Sequence, residues 1–157
     1  MAAFSEAIKK TLIHEGGYVF DKDDAGGETN FGISKCAYPN VDIKNLTLAG
    51  AKEIYRRDYW ERLRADEITH QQVADELFDT AVNMGVRTAT KLIQMALDVH
   101  PDGKLGNITL AALNKSDAEK LLLKFKLAKI ARYTYLAKKR PANRKYLLGW
   151  INRTLGA

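Results

Sequence analysis

HEGGYVFDKDDAGGETNFGIS, residues 14–34, is the stretch that decides the architecture predicted from this sequence. It is rich in Gly, Asp and Asn, and its apolar residues have no helical period. Gly16 and Gly17 permit the left-handed backbone that commonly ends a helix. The stretch therefore predicts an irregular insertion, with room for a small β-hairpin, directly after a first helix.

Outside this insertion, apolar residues recur at helical spacing and are separated by short polar turns. We expect helices over about residues 3–14, 48–59, 70–84, 88–99, 108–113, 117–139 and 146–151. Thr47 precedes the second of them, and Gly85 stops the third. Thr69 with Gln72, and Ser116 with Glu119, have the spacing of capping boxes. The prediction is a mainly α domain of 157 residues with one irregular insertion.

The composition is that of an ordinary globular protein, with 46% hydrophobic and 28% charged residues. Cys36 is the only cysteine, so no intramolecular disulfide can form. The N-terminus lacks the pattern of a signal peptide, and no apolar run approaches the length of a membrane span. We therefore expect synthesis in the cytoplasm, with delivery to any outside substrate by another agent.

The basic residues are concentrated at the end of the chain. From Lys115 onward there are 12 Lys and Arg against Asp117 and Glu119, whereas the net charge of the whole chain is only +6. This asymmetry predicts a polyanionic partner, such as an anionic membrane or wall polymer, or else a solubilising helical surface. Tyr133 and Tyr135 lie among these basic residues, but no nucleic-acid recognition motif is present, so we expect no nucleic-acid partner.

Five carboxylates fall within 14 residues of the insertion: Glu15, Asp21, Asp23, Asp24 and Glu28. Cleaving a glycosidic bond requires a protonated carboxylic acid at the leaving oxygen and a second group that orients water. Glu15, at the end of an amphipathic helix, suits the first role; Asp24 and Thr29 suit the second. The cluster could instead bind Ca²⁺ or be merely solvated, although its spacing does not match an EF-hand.

The stretch EGGYVFDKDDAGGETNFGIS resembles the signature of the glycoside hydrolase family 108 muramidases. The resemblance continues in IYRRDYW (54–60), in LFDTAVNMG (77–85), and in Gly149-Trp150 and Asn152-Arg153. It departs from the family where Phe20-Asp21-Lys22 replaces the usual Asn followed by Asp-Pro. Asp24 follows Glu15 by nine residues, as the corresponding Asp does in phage lysozymes.

This resemblance implies a lysozyme-like helical fold and hydrolysis of the β-1,4 bond between N-acetylmuramic acid and N-acetylglucosamine. It implies one compact domain over 1–157, with a catalytic half (1–85) and a helical half (86–157) similar to a predicted peptidoglycan domain. The family's catalytic Glu corresponds to Glu15. Members occur as phage endolysins and as bacterial enzymes that open the wall for export. Because the N-terminus lacks a signal-peptide pattern, we expect holin-type release.

Further residues follow from the same interpretation. Tyr18, Asp21 and Asn83 are the predicted substrate contacts, although Asn83 could equally cap its helix. Trp60 could stack on a sugar, but an aromatic residue at helical spacing is more often core. The segment DGKLGNITLAAL (102–113) resembles small wall-binding modules, or is simply a tight turn before a helix.

The expected partner is peptidoglycan, bound by a monomer with no cofactor and no metal. Two alternatives to a hydrolase remain open at this point. A lytic transglycosylase would cut the same bond without water and could need only Glu15. A non-catalytic wall-binding protein on the same scaffold would bind peptidoglycan without releasing fragments.

Overall fold

The computed structural model describes residues 1–14, 17–20 and 27–156, with only the backbone described at 13 and 14. Seven α-helices lie within these ranges: α1 (Phe4–His14), α2 (Leu48–Tyr55), α3 (Gln71–Met84), α4 (Val86–Ala96), α5 (Asn107–Lys115), α6 (Ala118–Lys139) and α7 (Arg144–Leu155). One π-helical turn, Arg56–Trp60, extends α2, and 3₁₀ turns occur at Ala65–Glu67 and Pro141–Asn143. The mainly α prediction is confirmed.

The insertion after α1 contains a small antiparallel sheet. Its strands are β1 (Val19–Phe20), β2 (Glu28–Asn30) and β3 (Ile33–Ser34), in that spatial order. Val19 pairs with Thr29, and Thr29 pairs with Ser34. The predicted hairpin is therefore present with a third strand added. Gly32 and Phe31 turn β2 into β3 with positive φ angles of 76° and 50°.

Two predicted helix caps are wrong, because in both cases the predicted capping side chain makes a different hydrogen bond. Thr69 does not cap α3; instead its backbone N–H and its hydroxyl donate to Asn114 Oδ1, over 3.0 and 3.3 Å. Ser116 does not cap α6, because its hydroxyl donates to the Leu113 carbonyl. The cap is Asp117, whose carboxylate accepts from the backbone N–H of Lys120.

Helices α3 and α4 meet at one residue. Gly85 has a φ of 87°, which a side chain would disfavour, and α4 begins immediately after it. Helix α4 therefore starts two residues before the predicted position and ends at Ala96 rather than near Val99. Asp98, with a φ of 58°, lies just beyond its end.

The largest core side chains belong to the first half of the chain. Trp60, Tyr55 and Phe78 are fully buried, and the Phe4 ring packs edge-on against Trp60 and Phe78 at 5.6 and 5.8 Å. The Trp60 indole N–H donates to Asp66. Trp60 is therefore a core residue. The same buried cluster continues through α4 and α5 to Phe125 on α6.

Within the described ranges, none of the seven helices is both long enough and apolar enough to cross a bilayer.

Candidate active site

The predicted site residues divide into two groups. Glu15, Asp21 and Asp24, together with Asp23, lie outside the described residues. Tyr18, Thr29 and Asn83 lie within them. The structure therefore describes the elements on either side of the carboxylate segment: α1 before Glu15, and strands β1 and β2, which are joined by residues 21–27.

Helix α1 is held firmly against the rest of the protein. Ala7, Ile8 and Thr11 are buried on one of its faces. At its start, the Ala3 N–H donates to Gln71 Oε1 over 2.6 Å; two turns later, Lys10 Nζ lies 2.5 Å from Asp75 Oδ2. Together with the Phe4 ring against Phe78, these contacts fix α1 to α3 at several points along its length.

The small sheet presents two different faces. Asn30 is buried, and its amide donates to the carbonyls of Ile43 and Leu46, which fixes the sheet to the loop before α2. Because successive side chains on a strand alternate between faces, Thr29 projects to the side opposite Asn30. Thr29 is half-buried on that face, which it shares with its cross-strand partner Val19, whereas Phe20 shares the face of Glu28.

Strand β1 and the residue before it expose an apolar surface. Tyr18, Val19 and Phe20 are 42%, 57% and 53% exposed. The Tyr18 hydroxyl donates to Glu28 Oε1 over 3.3 Å. Partial burial and the neighbouring Glu28 carboxylate both raise the pKa of Tyr18 above its ordinary value. The Tyr18 side chain therefore stays neutral. Its hydroxyl is fixed by Glu28, and the face of its ring is accessible to a ligand. Sequence reasoning selected Tyr18 but missed Phe20.

Asn83 does not cap α3, since Gly85 has that role. Its side-chain amide instead donates to the hydroxyl of Tyr133 on α6, over 2.8 Å. The Tyr133 ring stacks on Trp150 of α7, with ring centroids 5.0 Å apart and an angle of 21° between planes. Burial raises the pKa of Tyr133. The predicted substrate contact thus belongs to a three-helix junction.

A small cavity of about 160 Å³ opens at this junction. Asn83, Met84 and Thr88 line one side of it, and Arg132, Tyr133, Leu136 and Trp150 line the other. Sequence reasoning did not find this group, because its members are up to about 70 residues apart and share no local motif. The helical periods of α6 and α7 indicated only that some faces are buried.

Two ion pairs hold α6 and α7 against α3. Lys129 is almost fully buried, and its ammonium lies 2.6 Å from Glu76 Oε1. Arg153 on α7 donates to both carboxylate oxygens of Asp79, over 3.3 and 2.9 Å. Glu76 and Asp79 are one turn apart on α3. These contacts fix the basic helices to the same helix that carries Asn83.

The wall-module-like segment is a tightly held turn. The buried Gln94 side chain of α4 donates to Asp102 Oδ1 and accepts from the Gly103 N–H, over 2.8 and 2.9 Å. The hydrogen bond from Gln94 is the largest cause of a lowered Asp102 pKa. Gly103 has a φ of 79°, and a Cβ there would lie 2.8 Å from Arg87 Cγ. The turn therefore packs closely against the basic side chains of α4.

Comparison with known proteins covers nearly all of this architecture. Residues 8–85 match the model of glycosyl hydrolase 108, and residues 81–155 match a model described as a predicted peptidoglycan domain. The two matches meet at the end of α3. The protein is thus a glycoside hydrolase acting on peptidoglycan, with a mainly helical, lysozyme-like fold. The chain belongs to the glycosyl hydrolase 108 family, as its motifs predicted.

A solved structure supports the fold. SagA of Brucella abortus is 29% identical to the chain and superposes with a TM-score of 0.74, over 98% of this chain and 94% of the other. No functionally curated protein matches the sequence.

Proposed function

We propose that the protein is an N-acetylmuramidase that hydrolyses the β-1,4 bond between N-acetylmuramic acid and N-acetylglucosamine, with Glu15 as the general acid. The observation that carries this proposal is the anchoring of α1. Its buried face and its contacts with Gln71 and Asp75 fix the backbone that leads directly into Glu15. A rigid backbone is what an acid needs in order to stay within hydrogen-bonding distance of the leaving oxygen.

The second role belongs to Asp24 and Thr29. Asp24 lies in the connection between the paired strands β1 and β2, and Thr29 projects from the face of β2 opposite the buried Asn30. A carboxylate and a hydroxyl on one hairpin can hold a water molecule for attack on the sugar carbon. Such an attack inverts the anomeric centre and requires carboxyl groups roughly 6.5–9.5 Å apart, whereas a retaining enzyme needs about 5 Å.

The substrate contacts come from the insertion and from the end of α3. The exposed faces of Tyr18 and Phe20 offer apolar surface for the C–H groups of a sugar ring. Asp21 and Asn83 supply polar groups; the Asn83 carbonyl oxygen can accept a hydrogen bond from an N-acetyl N–H while its amide remains bonded to Tyr133.

Both halves act as one monomeric unit in this proposal. The buried cluster runs from Ala2 to Phe125, so residues 1–85 and 86–157 share a core. The exposed basic segment 138–145, with Lys138, Lys139, Arg140, Arg144 and Lys145, faces the anionic wall or membrane. The enzyme is made in the cytoplasm and reaches the wall by holin-type release.

Digestion of purified peptidoglycan, followed by mass spectrometry of the soluble products, tests the reaction. We expect muropeptides with a reducing N-acetylmuramic acid end. Products with anhydromuramoyl ends would make the protein a lytic transglycosylase. Binding to sacculi with no soluble product would make it a non-catalytic wall-binding protein. Either result would contradict the proposal.

A further inference from the structure

A groove of about 510 Å³ lies between α4 and α6, away from the strands of the insertion. Its α4 side consists of Arg87, Thr88, Lys91, Leu92 and Met95, and its α6 side consists of Ala128, Ala131, Arg132 and Tyr135. Each set follows the three-to-four residue spacing of one helix face. The two alanines leave the space between the helices open, because they have no side chain beyond Cβ.

The groove contains three cations. Arg87, Lys91 and Arg132 form no ion pair with any carboxylate in the described part of the chain. Arg132 Nε is buried and has no hydrogen-bond partner there. The Arg132 guanidinium lies 5.8 Å from the centre of the Tyr135 ring. A buried donor left unsatisfied destabilises the free protein and favours a ligand that accepts from it.

The side-chain stems of two of these cations pack against a neighbouring turn. Gly103 packs against the side chains of Arg87 and Lys91, so the Asp102–Gly103 turn supports the α4 wall. Among the described residues, the Asp102 carboxylate forms no ion pair with Arg87 or Lys91, and its Oδ1 accepts from Gln94 and from the Lys104 N–H. The groove thus combines an apolar floor with three positive charges.

The groove continues toward Asn83. Thr88 and Arg132 line both the groove and the smaller cavity that Asn83, Tyr133 and Trp150 form. A chemical group that branches from a glycan bound near Asn83 would therefore contact Arg132 first and then the rest of the groove. In peptidoglycan, the group that branches from the glycan is the stem peptide on the muramic acid.

We propose that the α4–α6 groove binds the stem peptide of peptidoglycan, with Arg87, Lys91 and Arg132 pairing with its carboxylates. Stem peptides carry several free carboxylates and alanine methyl groups, which match the cations and the floor of Leu92, Ala128 and Ala131. The groove lies wholly within the region that matches the predicted peptidoglycan domain. Its concave shape favours a peptide over a flat membrane surface. The inference rests on peptidoglycan as the substrate and on Asn83 as a glycan contact, but not on Glu15.

The test uses free stem tetrapeptide, released from purified peptidoglycan by an amidase, and isothermal titration with the full-length protein. The variant R87Q/K91Q/R132Q should lose at least about tenfold in affinity, since each charge-assisted hydrogen bond contributes about that much. The control R62Q/K44Q/K115Q removes three exposed cations outside the groove and should bind within about twofold of wild type. Equal loss in both variants would show only bulk charge attraction and overturn the inference.

Amide shifts in the wild-type protein give a second measurement that does not depend on the variants folding. Titration with the tetrapeptide should perturb the residues of α4 and α6 that line the groove. Perturbations elsewhere, or none, would contradict the inference. So would binding of the groove to phosphatidylglycerol vesicles without binding of the peptide.

Activity separates this inference from the proposed reaction. With peptide-bearing peptidoglycan, the variant R87Q/K91Q, which leaves Arg132 of the Asn83 cavity unchanged, should have a lower kcat/KM. With amidase-stripped glycan, the same variant should match wild type. Cleavage of both substrates without peptide binding would contradict the stem-peptide site but not the muramidase reaction. Peptide binding without any cleavage would contradict the muramidase reaction but not the stem-peptide site.

Discussion

The Asn83 amide donates to the Tyr133 hydroxyl over 2.8 Å, and this bond joins the end of α3 to the C-terminal third of α6. It connects residues 50 positions apart in the chain. The same Tyr133 ring stacks on Trp150, so one side chain joins three helices. The geometry of the candidate site therefore depends on the packing of the second half of the chain.

Replacing Tyr133 by Phe keeps the stacking on Trp150 and removes the partner of Asn83. We expect the free energy of unfolding to fall by about 1 kcal/mol, the usual net contribution of a hydrogen bond. Urea denaturation measures this. The matched control is Tyr146→Phe, since the Tyr146 side chain is half exposed and contributes mainly its ring. Equal stability of both variants would show that the Asn83–Tyr133 bond contributes nothing.

Lys129→Met should destabilise the protein far more than its single charge suggests. The change removes the positive charge that pairs with the Glu76 carboxylate and puts an apolar side chain in its place. Losing one partner of a buried ion pair lowers the free energy of unfolding by on the order of 3 kcal/mol. The double variant K129M/E76Q should recover part of that loss. Lys9→Met breaks an exposed pair with Glu6 and should cost no more than about 1 kcal/mol. Similar losses for Lys129→Met and Lys9→Met in urea denaturation would contradict this.

Two glycines should respond to alanine in opposite directions. Gly103→Ala forces a side chain into a left-handed backbone and against Arg87, and we expect a loss of at least about 1–2 kcal/mol. Gly149 lies inside α7, and a Cβ added there would meet no atom within 4 Å. Gly149→Ala should therefore stabilise by about 0.5–1 kcal/mol. Thermal unfolding of both variants checks the pair, and a change of the same sign in both would refute the explanation.

The Asp102 turn should make stability depend on pH in the acidic range. Since its folded-state pKa lies below the ordinary Asp value, the charged carboxylate stabilises the fold above that ordinary value. This stabilisation is lost as the pH falls through the lowered pKa. Wild type should therefore exceed Asp102→Asn in urea midpoint at about pH 5 by more than at about pH 3. A difference that does not change with pH would contradict the assigned hydrogen bonds.

Local signals in the sequence predicted the elements well, and tertiary contacts decided what those signals missed. Apolar periodicity located the seven helices of the described ranges, and Gly85 marked the break between α3 and α4. Thr69 had the spacing of a cap but bonds to Asn114, 45 residues away. Asp117, rather than Ser116, caps α6 because the Ser116 hydroxyl reaches back to Leu113.

The candidate site shows the same division. Tyr18 and Thr29 were predicted from one contiguous motif. Tyr18 directly precedes β1, and Thr29 lies in the neighbouring strand β2. The partners of Asn83, and the three cations of the α4–α6 groove, come from helices far apart in sequence. The spacing of these residues showed that they share one face of each helix, but it did not show which helix faces pack against each other.

The most direct test of the muramidase proposal measures the soluble muropeptides that the Glu15→Gln variant releases from purified peptidoglycan. The Glu6→Gln variant serves as the matched control. Both changes remove one carboxylate from the α1 region, and Glu6 is exposed and paired only with Lys9 within the described chain. Circular dichroism should show that both variants fold. We predict that Glu6→Gln releases muropeptides with reducing N-acetylmuramic acid ends at the wild-type rate, whereas Glu15→Gln loses nearly all release. A folded Glu15→Gln protein that still released these products at a comparable rate would contradict the central claim.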